Sequence, residues 1–372
     1  MDDVHGKAFA PEYQGSLNGL SVNTSYEDVL LAARQREGSA LRSGRKLELA
    51  QAKLAVAEAC RRLGRLDEAE SAWRDSYRSA KDCAALAAMS WALWSGGTLA
   101  RQRGRLDLAL RWLGWARELG RRAGEHLPYG YASAGIAETL RIRGDHHEAR
   151  ELHLDLLAEA RERGECRHIV WALEGVAQLD RNTGDLSSAW ERFAEAAQVA
   201  SDGGDHRGHA WALRGQADVL SLRGRPEAAL ELLSEAERTC REMDLASALA
   251  YNRKMRGNVL FRAGRYADAA ETYQDAREQF DAIGEPRGTA LASLGSIKCR
   301  NKLQPDRSRT ERELRSLLRS LSGYGLRQTE RMVEQAIAEL AEEPDPTAAR
   351  TQTPDDTTTG TRETALSGGL CG

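Results

Sequence analysis

The stretch LGRLDEA at residues 63–69 decides the fold, because closely similar stretches return five more times along the chain. The further copies are RGRLDLA (103–109), RGDHHEA (143–149), TGDLSSA (183–189), RGRPEAA (223–229) and AGRYADA (263–269). The glycine of each copy lies 40 residues after the previous one, and an alanine always follows it by five residues. A fixed period of this length indicates a repeat architecture, in which each unit packs against its neighbours.

A second set of turn residues lies halfway between these glycines and keeps the same period: Gly124, Gly164, Gly204, Asp244 and Gly284. Each unit therefore holds two segments of roughly 16 to 18 residues, rich in Ala, Leu, Glu and Arg, with apolar residues three and four positions apart. This spacing is typical of helices, and a glycine after a helix supplies the left-handed cap at little steric cost. No segment alternates as a strand does. We therefore predict an all-α fold.

The hairpins resemble tetratricopeptide repeats. That family has a glycine at the turn, a small residue early in the second helix, a large residue one turn later and then an alanine. Those roles fall on Gly184, Ala189, Phe193 and Ala196, and likewise on Gly264, Ala269, Tyr273 and Ala276. The repeat length is similar to the variety found in kinesin light chains and MalT-like regulators. The resemblance implies a right-handed superhelical solenoid of about six and a half helix-turn-helix repeats with helical caps, whose first helices line the concave face.

Composition divides the chain into five predicted segments. Residues 1–23 are predicted to be disordered, and residues 24–45 to form an N-terminal capping helix. Residues 46–303 form the solenoid, and residues 304–343 form a C-terminal helical cap of the kind that repeat proteins need for solubility. Residues 344–372 read as a disordered tail rich in Thr and Pro.

Charge and hydropathy exclude several classes of protein. Lys and Arg number 53 against 56 Asp and Glu, a net charge of −3 that argues against sequence-blind binding of nucleic acid. No run approaches the roughly 18 apolar residues of a membrane span, and the N-terminus lacks a signal sequence. Six cysteines without any Cys-x-x-Cys pair favour reduced thiols and a cytoplasmic location. Heavy use of Ala and Arg is typical of high-GC bacteria such as actinobacteria.

Motifs for catalysis or cofactor binding are absent from the sequence: it has no Walker loop, G-x-S-x-G elbow or H-E-x-x-H pair. The nearest metal-like pattern is Asp205-His206-x-x-His209, which lacks a third or fourth ligand, so we expect a solvated helix start and no metal or cofactor. Asp180 stands where other repeats have Ala or Leu, and it is either functional or held by a local salt bridge. We predict that the protein is not an enzyme.

The first helix of each repeat carries the candidate ligand-binding residues, because aromatic and long polar side chains recur along one of its faces. The candidates are Trp91, Trp94, Arg101, Tyr131, Glu138, Arg141, Trp171, Gln178, Arg181, Asn182, Trp211, Arg214, Asp218, Tyr251, Lys254, Asn258, Arg262 and Lys298. The aromatic row either stacks first helices against one another or contacts a ligand. The polar row faces either a ligand or water.

Cations outnumber acids on this face, which predicts a locally positive groove. Such a groove favours an acidic or extended peptide or protein segment, or a carboxylate terminus. The family's strict clamp of Lys and Asn for a C-terminal carboxylate is not reproduced at one repeat pair. The main hypothesis is a non-enzymatic scaffold or regulator that binds a protein or peptide. The alternatives are a small-molecule sensor that acts through a partner, as the MalT-like resemblance implies, and an enzyme that uses Asp180 or Glu138 with a histidine.

Overall fold

The computed structural model describes residues 26–342, so the predicted tails 1–23 and 344–372 lie outside it. Sixteen α-helices and no strand occupy the described range. The helices are α1 (Tyr26–Ser43), α2 (Lys46–Arg62), α3 (Leu66–Asp82), α4 (Leu86–Gln102), α5 (Leu106–Ala123), α6 (His126–Arg143), α7 (His146–Arg163), α8 (Cys166–Thr183), α9 (Leu186–Asp202), α10 (His206–Leu222), α11 (Pro226–Glu242), α12 (Ala246–Arg262), α13 (Tyr266–Ala282), α14 (Pro286–Leu303), α15 (Arg307–Ser320) and α16 (Arg327–Glu342). None of these helices is long and apolar enough to cross a membrane.

The turns between helices have the left-handed residue that the glycine spacing predicts. Gly64 has φ 81°, and the backbone N–H of Arg65 donates to the carbonyl of Cys60 at 2.8 Å, which closes the helix end. The turn residues halfway between these glycines also have a left-handed backbone, including Asp244 at φ 53°. Ala84, at the equivalent place of an earlier repeat, also has φ 53° although it is not a glycine.

Neighbouring hairpins are joined by a large side chain of the second helix that packs onto a glycine in the first helix of the next repeat. In α9, Phe193 lies so close to Gly215 that a Cβ there would be 2.2 Å from the ring. His153 takes this role in α7, fully buried against Gly175. Neither of its ring nitrogens has a hydrogen-bond partner in the described range, and burial lowers its pKa to about 4. His153 is therefore a neutral core residue.

The superhelix coils tightly enough for its beginning to meet its later repeats. Tyr26 on α1 accepts a hydrogen bond from Arg207 Nη1 on α10 at 3.0 Å, across 181 residues of chain. A Cβ on Gly64, after α2, would lie 2.5 Å from Cγ2 of Ile283, after α13. The chain thus closes into a ring with an enclosed interior, which the first helices of the repeats surround.

The C-terminal helices α15 and α16 pack on α14 and also on the first half of the superhelix. Leu314 on α15 and Val333 on α16 belong to one buried apolar cluster with Leu106 of α5 and Ile142 of α6. A Cβ on Gly104 would lie 2.9 Å from Cδ1 of Tyr324. These helices cover an inner edge of the ring in addition to the end of the solenoid.

Candidate ligand-binding chamber

The interior of the ring contains two adjoining cavities, which together we call the chamber. The aromatic compartment, of about 130 Å³, is walled by Trp94, Tyr131, Trp171 and Trp211. The polar compartment, of about 210 Å³, is lined by Glu138, Glu174, Gln178, Arg214, Tyr251, Glu285 and Arg287 among others. The two compartments are continuous, since both are lined by Arg61, Thr98, Arg101, Gln102, Trp171, Trp211 and Ser247.

The aromatic walls stack edge to face from repeat to repeat. The ring centroid of Tyr131 lies 5.2 Å from that of Trp94 and 5.8 Å from that of Trp171. Trp91, with only 1% of its surface exposed, packs behind both Trp94 and Tyr131 and does not line the chamber. Both interpretations of the aromatic row therefore have a structural counterpart: one ring packs the helices together and the others face the cavity.

Several buried polar atoms in the chamber walls have no hydrogen-bond partner among residues 26–342. They are Nε1 of Trp94, Oγ1 of Thr98, Nε2 of Gln102, Nε of Arg167 and Oε1 of Glu174. Buried polar atoms are rarely left unpaired, because each one costs desolvation free energy. A concentration of such atoms in one cavity is typical of a site that a ligand completes.

Most arginines of the aromatic compartment are held in place from behind by acids. Glu58 bonds both Arg61, at 2.8 Å, and Arg62, while Asp205 bonds Arg167. Burial alone would raise the pKa of Asp205, but its arginine neighbours outweigh burial and hold that pKa below its ordinary value. These acids fix the guanidinium groups at the chamber wall.

Arg101 differs from these arginines, because it makes no ion pair within the described range. Its Nη1 donates to the carbonyl of Gly135 at 3.2 Å. Burial lowers the pKa of Arg101 to about 10, so the guanidinium still carries its charge at neutral pH. Arg101 lines both compartments and presents a positive charge where they meet, with Glu138 and Glu285 near enough to act on it but not paired with it.

The three glutamates of the polar compartment differ in charge. Glu138 accepts two hydrogen bonds from Arg141, at 2.6 and 2.7 Å, which hold its pKa well below the ordinary value against the effect of burial. Burial raises the pKa of Glu174 to about 8, although Arg214 and Arg167 oppose this shift. Burial also raises the pKa of Glu285, which accepts a 2.5 Å hydrogen bond from Tyr251. At neutral pH Glu174 is therefore mostly uncharged.

Nine of the eighteen candidate residues line the chamber. They are Trp94, Arg101, Tyr131, Glu138, Trp171, Gln178, Trp211, Arg214 and Tyr251. Trp91 and Arg141 support them from behind, as the contacts above show. Asn182 is exposed and lines neither compartment.

The remaining candidates make contacts with one another or with other helices. Asp218 pairs with Arg181 at 3.0 Å and with Arg262 at 2.8 Å. Burial, together with the nearby arginines, lowers the pKa of Lys254 to about 7 despite Asp218. Asn258 accepts a hydrogen bond of 2.7 Å from Tyr273, and Lys298 forms an ion pair of 3.2 Å with Glu339. Four of the seven candidate cations, Arg141, Arg181, Arg262 and Lys298, thus pair with acids of the protein itself.

The sequence analysis did not single out several chamber residues, although some carry a periodic signal. Arg167, Arg207 and Arg287 occupy the second position of α8, α10 and α14, at multiples of the 40-residue period. Arg61 shares the register of the predicted Arg101. This second row of arginines could have been found by aligning the first turns of the helices as well as their middles.

The two weaker candidates for chemistry have structural explanations. Asp180 pairs with Arg150 at 2.6 Å and with Arg192 at 2.7 Å, which is the local salt bridge considered above. Asp205 accepts from the backbone N–H of Gly208 at 2.9 Å and so caps α10. The described residues contain no cluster of three or more His, Cys, Asp or Glu side chains suited to a metal ion.

Comparison with known proteins confirms the predicted fold. A family model described as a tetratricopeptide repeat matches residues 168–242. No curated protein sequence matches the chain. The matched segment and the whole-chain similarities below show an all-α superhelix of the tetratricopeptide kind.

Three solved structures share this superhelix at low sequence identity. A Rap protein complexed with Competence and Sporulation Factor is 12% identical, covering 90% of this chain and 98% of its own, with a TM-score of 0.58. The Rap conjugation gene regulator of plasmid pLS20, in complex with the Phr* peptide, is 13% identical over 81% of this chain and 77% of its own, with a TM-score of 0.60. NprR in complex with its cognate peptide NprX is 13% identical over 92% of this chain and 100% of its own, with a TM-score of 0.56. At these identities the similarity concerns the fold alone.

Proposed function

We propose that this chain, a superhelix of the tetratricopeptide kind, is a non-enzymatic regulatory scaffold that binds an acidic peptide segment in its chamber. One observation carries the proposal: the described residues that line the chamber include seven arginines and three glutamates. The arginines are Arg61, Arg62, Arg101, Arg167, Arg207, Arg214 and Arg287, and the glutamates are Glu138, Glu174 and Glu285. A protein with a net charge of −3 thus concentrates positive charge at its centre.

The protonation of Glu174 strengthens this positive field. Glu174 is mostly neutral at neutral pH, and the pKa of Glu285 is raised as well. A carboxylate that enters the chamber meets several guanidinium groups from which water is largely excluded. Hydrogen bonds to charged groups contribute about 1.5–3 kcal/mol each.

The similar solved structures support a peptide as the ligand. The three compared above are described as complexes with a factor or with peptides. Their similarity to this chain extends over most of its length. We extend peptide binding to this chain as a proposal on that basis.

The experiment compares two pools of random hexapeptides that differ only in two positions, which are glutamate in one pool and glutamine in the other. We expect the glutamate pool to bind at least about tenfold more tightly by calorimetry, because one charged hydrogen bond accounts for such a factor. The double variant Arg214→Ala/Arg287→Ala should lose this preference.

The matched control removes two arginines from exposed positions on outer helices, Arg122→Ala/Arg238→Ala, and should bind as the unmodified protein does. Circular dichroism checks that both variants retain their helices. Equal binding of the two pools, or equal loss in the two double variants, would contradict the proposal.

A small-molecule sensor is the second candidate function, and the closure of the ring favours it. Contacts such as Tyr26 with Arg207 enclose the interior, so the chamber holds a small ligand more readily than a long extended chain. Thermal-shift measurements with a panel of small carboxylic acids test this function. Stabilisation by such acids together with no binding of either peptide pool would favour the sensor.

A further inference from the structure

We infer that the aromatic compartment is a subsite for a single aromatic ring whose own carboxylate binds beside Arg101. The inference deepens the proposed function and rests on it for the nature of the ligand. The same chemistry occurs in a free aromatic acid and in the C-terminal aromatic residue of a peptide. Three independent properties of the compartment lead to it: size, hydrogen-bonding groups and charge.

The size of the aromatic compartment suits one ring. Its volume is about 130 Å³, close to the roughly 150 Å³ of an engineered apolar cavity that binds benzene. Trp94, Trp171 and Trp211 form the walls, and Leu245 and Ala248 add apolar surface. Aromatic pairs favour the edge-to-face contacts that Trp94 and Trp171 already make with Tyr131. A ring placed here therefore continues an existing stack.

The unpaired polar atoms of this compartment are mostly donors. Nε1 of Trp94, Nε2 of Gln102 and Nε of Arg167 can only donate, and the hydroxyl of Thr98 can donate as well. Both Trp94 and Thr98 are 3% exposed, so little water can pair with their polar atoms. A ligand that satisfies this set must present several acceptor atoms and no competing donors, which describes a carboxylate.

The charge of the compartment leads to the same group. Five arginines line it and, among the described lining residues, no Asp or Glu does. Arg61 and Arg167 are engaged by acids behind the wall, whereas Arg101 makes no ion pair in the described range. Arg101 is thus the guanidinium group that a ligand carboxylate can pair with, while Trp94 and Thr98 offer further donors.

The first experiment measures binding of three small probes to the full chain by calorimetry. They are N-acetylphenylalanine, its C-terminal amide and N-acetylalanine. We expect the aromatic acid to bind at least about tenfold more tightly than either of the others, because only this probe supplies both a ring and a carboxylate. If the amide or the alanine derivative binds as tightly, the inference is wrong.

Variants assign the contacts. Thr98→Val keeps the shape of the side chain and removes its hydroxyl. Trp94→Phe keeps a ring and removes the N–H. Each change should lower the affinity for N-acetylphenylalanine by about fivefold. Trp115→Phe is the matched control for Trp94→Phe, because Trp115 is 54% exposed, and it should change nothing. Arg101→Met should abolish the preference for acid over amide while leaving the affinity for the amide unchanged, a pattern that a general loss of structure would not produce.

The source of the ligand is resolved with a pentapeptide that ends in phenylalanine, tested as the free acid and as the amide. Tighter binding of the free-acid peptide than of N-acetylphenylalanine assigns the subsite to a peptide terminus, and the reverse order assigns it to a free aromatic acid. Either order supports the inference. The protein could still prefer the glutamate hexapeptides while its affinity for the small probes is independent of the ring and of the terminal carboxylate. That result would overturn the inference and leave the proposed function standing.

Discussion

Ala84 occupies a backbone conformation that glycine adopts at little cost. It has φ 53° at a position where later repeats have Gly124, Gly164 and Gly204. A side chain in the left-handed region costs about 1–2 kcal/mol, whereas a glycine loses more conformational entropy on folding. The steric cost exceeds the entropic one, so the turn after α3 is less stable than its equivalents.

We expect Ala84→Gly to raise the free energy of unfolding by about 0.5–1 kcal/mol. Gly184→Ala is the reciprocal change and should lower it by about 1 kcal/mol. Gly184 has φ 88°, and a Cβ added there would meet no neighbouring group within 4 Å, so conformation alone is changed. Urea denaturation followed by circular dichroism measures both effects. A stabilising Gly184→Ala would contradict this account of the turns.

Glu174 should make ligand binding depend on pH. Its pKa is raised to about 8, mainly by burial, so the carboxyl is neutral below that pH and negative above it. Ionisation adds a negative charge to the chamber, and we therefore expect the affinity for N-acetylphenylalanine to fall as the pH rises through 8. Lys254, with a pKa of about 7, changes affinity in the same direction by losing its positive charge.

Glu174→Gln should flatten the part of this profile that lies near pH 8 and leave the part near pH 7. Calorimetry at several pH values between 6 and 9, in buffers of equal ionic strength, measures the profile. An unchanged profile in the variant would show that Glu174 is not the titrating group.

At the scale of single residues, nine of the 23 described residues that line the chamber are among the candidates of the sequence analysis. Periodicity identified Trp171 and Arg214, because residues at one register of equivalent helices face the same side. It could not distinguish Arg214, which lines the chamber, from Arg262, which pairs with Asp218. That difference depends on where an acid lies in a neighbouring repeat, and a single repeat does not contain this information.

The cap formed by α15 and α16 shows how helices acquire contacts outside their own hairpin. The sequence predicts a helical cap over residues 304–343. Its contact with α5 and α6 was not predicted, because it depends on the pitch of the superhelix. The pitch is the sum of small angles between successive repeats, which the sequence pattern does not give.

Leu314→Ala tests the contribution of this cap to stability. Leu314 is 1% exposed in the cluster that includes Leu106 and Ile142, and we expect a loss of about 2–5 kcal/mol from the removed contacts and the remaining cavity. Met332→Ala on α16 is the control, since Met332 is 39% exposed. Thermal and urea denaturation measure both variants. A loss no larger than that of the control would show that the cap does not hold the ring together.

At the scale of the whole molecule, the contact between Gly64 and Ile283 joins repeats that lie far apart in the chain. Gly64→Ala should lower the free energy of unfolding by more than Gly184→Ala does, because a Cβ at Gly64 also meets Cγ2 of Ile283 at 2.5 Å. The extra loss should be smaller in the double variant Gly64→Ala/Ile283→Ala, since this change removes Cγ2 and leaves only the Cβ of residue 283, at 3.1 Å.

A double-mutant cycle from urea denaturation gives this coupling energy, with Gly184→Ala/Ile283→Ala as the matched cycle. The matched cycle should be additive, because these two residues do not touch. Additivity in both cycles would mean that the ends of the superhelix are apart in solution.

The hydrogen bond between Tyr26 and Arg207 changes how the repeats of the solenoid depend on one another. Open repeat arrays unravel from their ends, one unit at a time, and each unit depends only on its neighbours. A link between the first helix and the tenth removes one free end, so the enclosed repeats should fray together and exchange their amide hydrogens at similar rates. A ligand inside the ring can leave through its open ends or after the ring opens, and we expect the second route to couple ligand release to the contact between Tyr26 and Arg207.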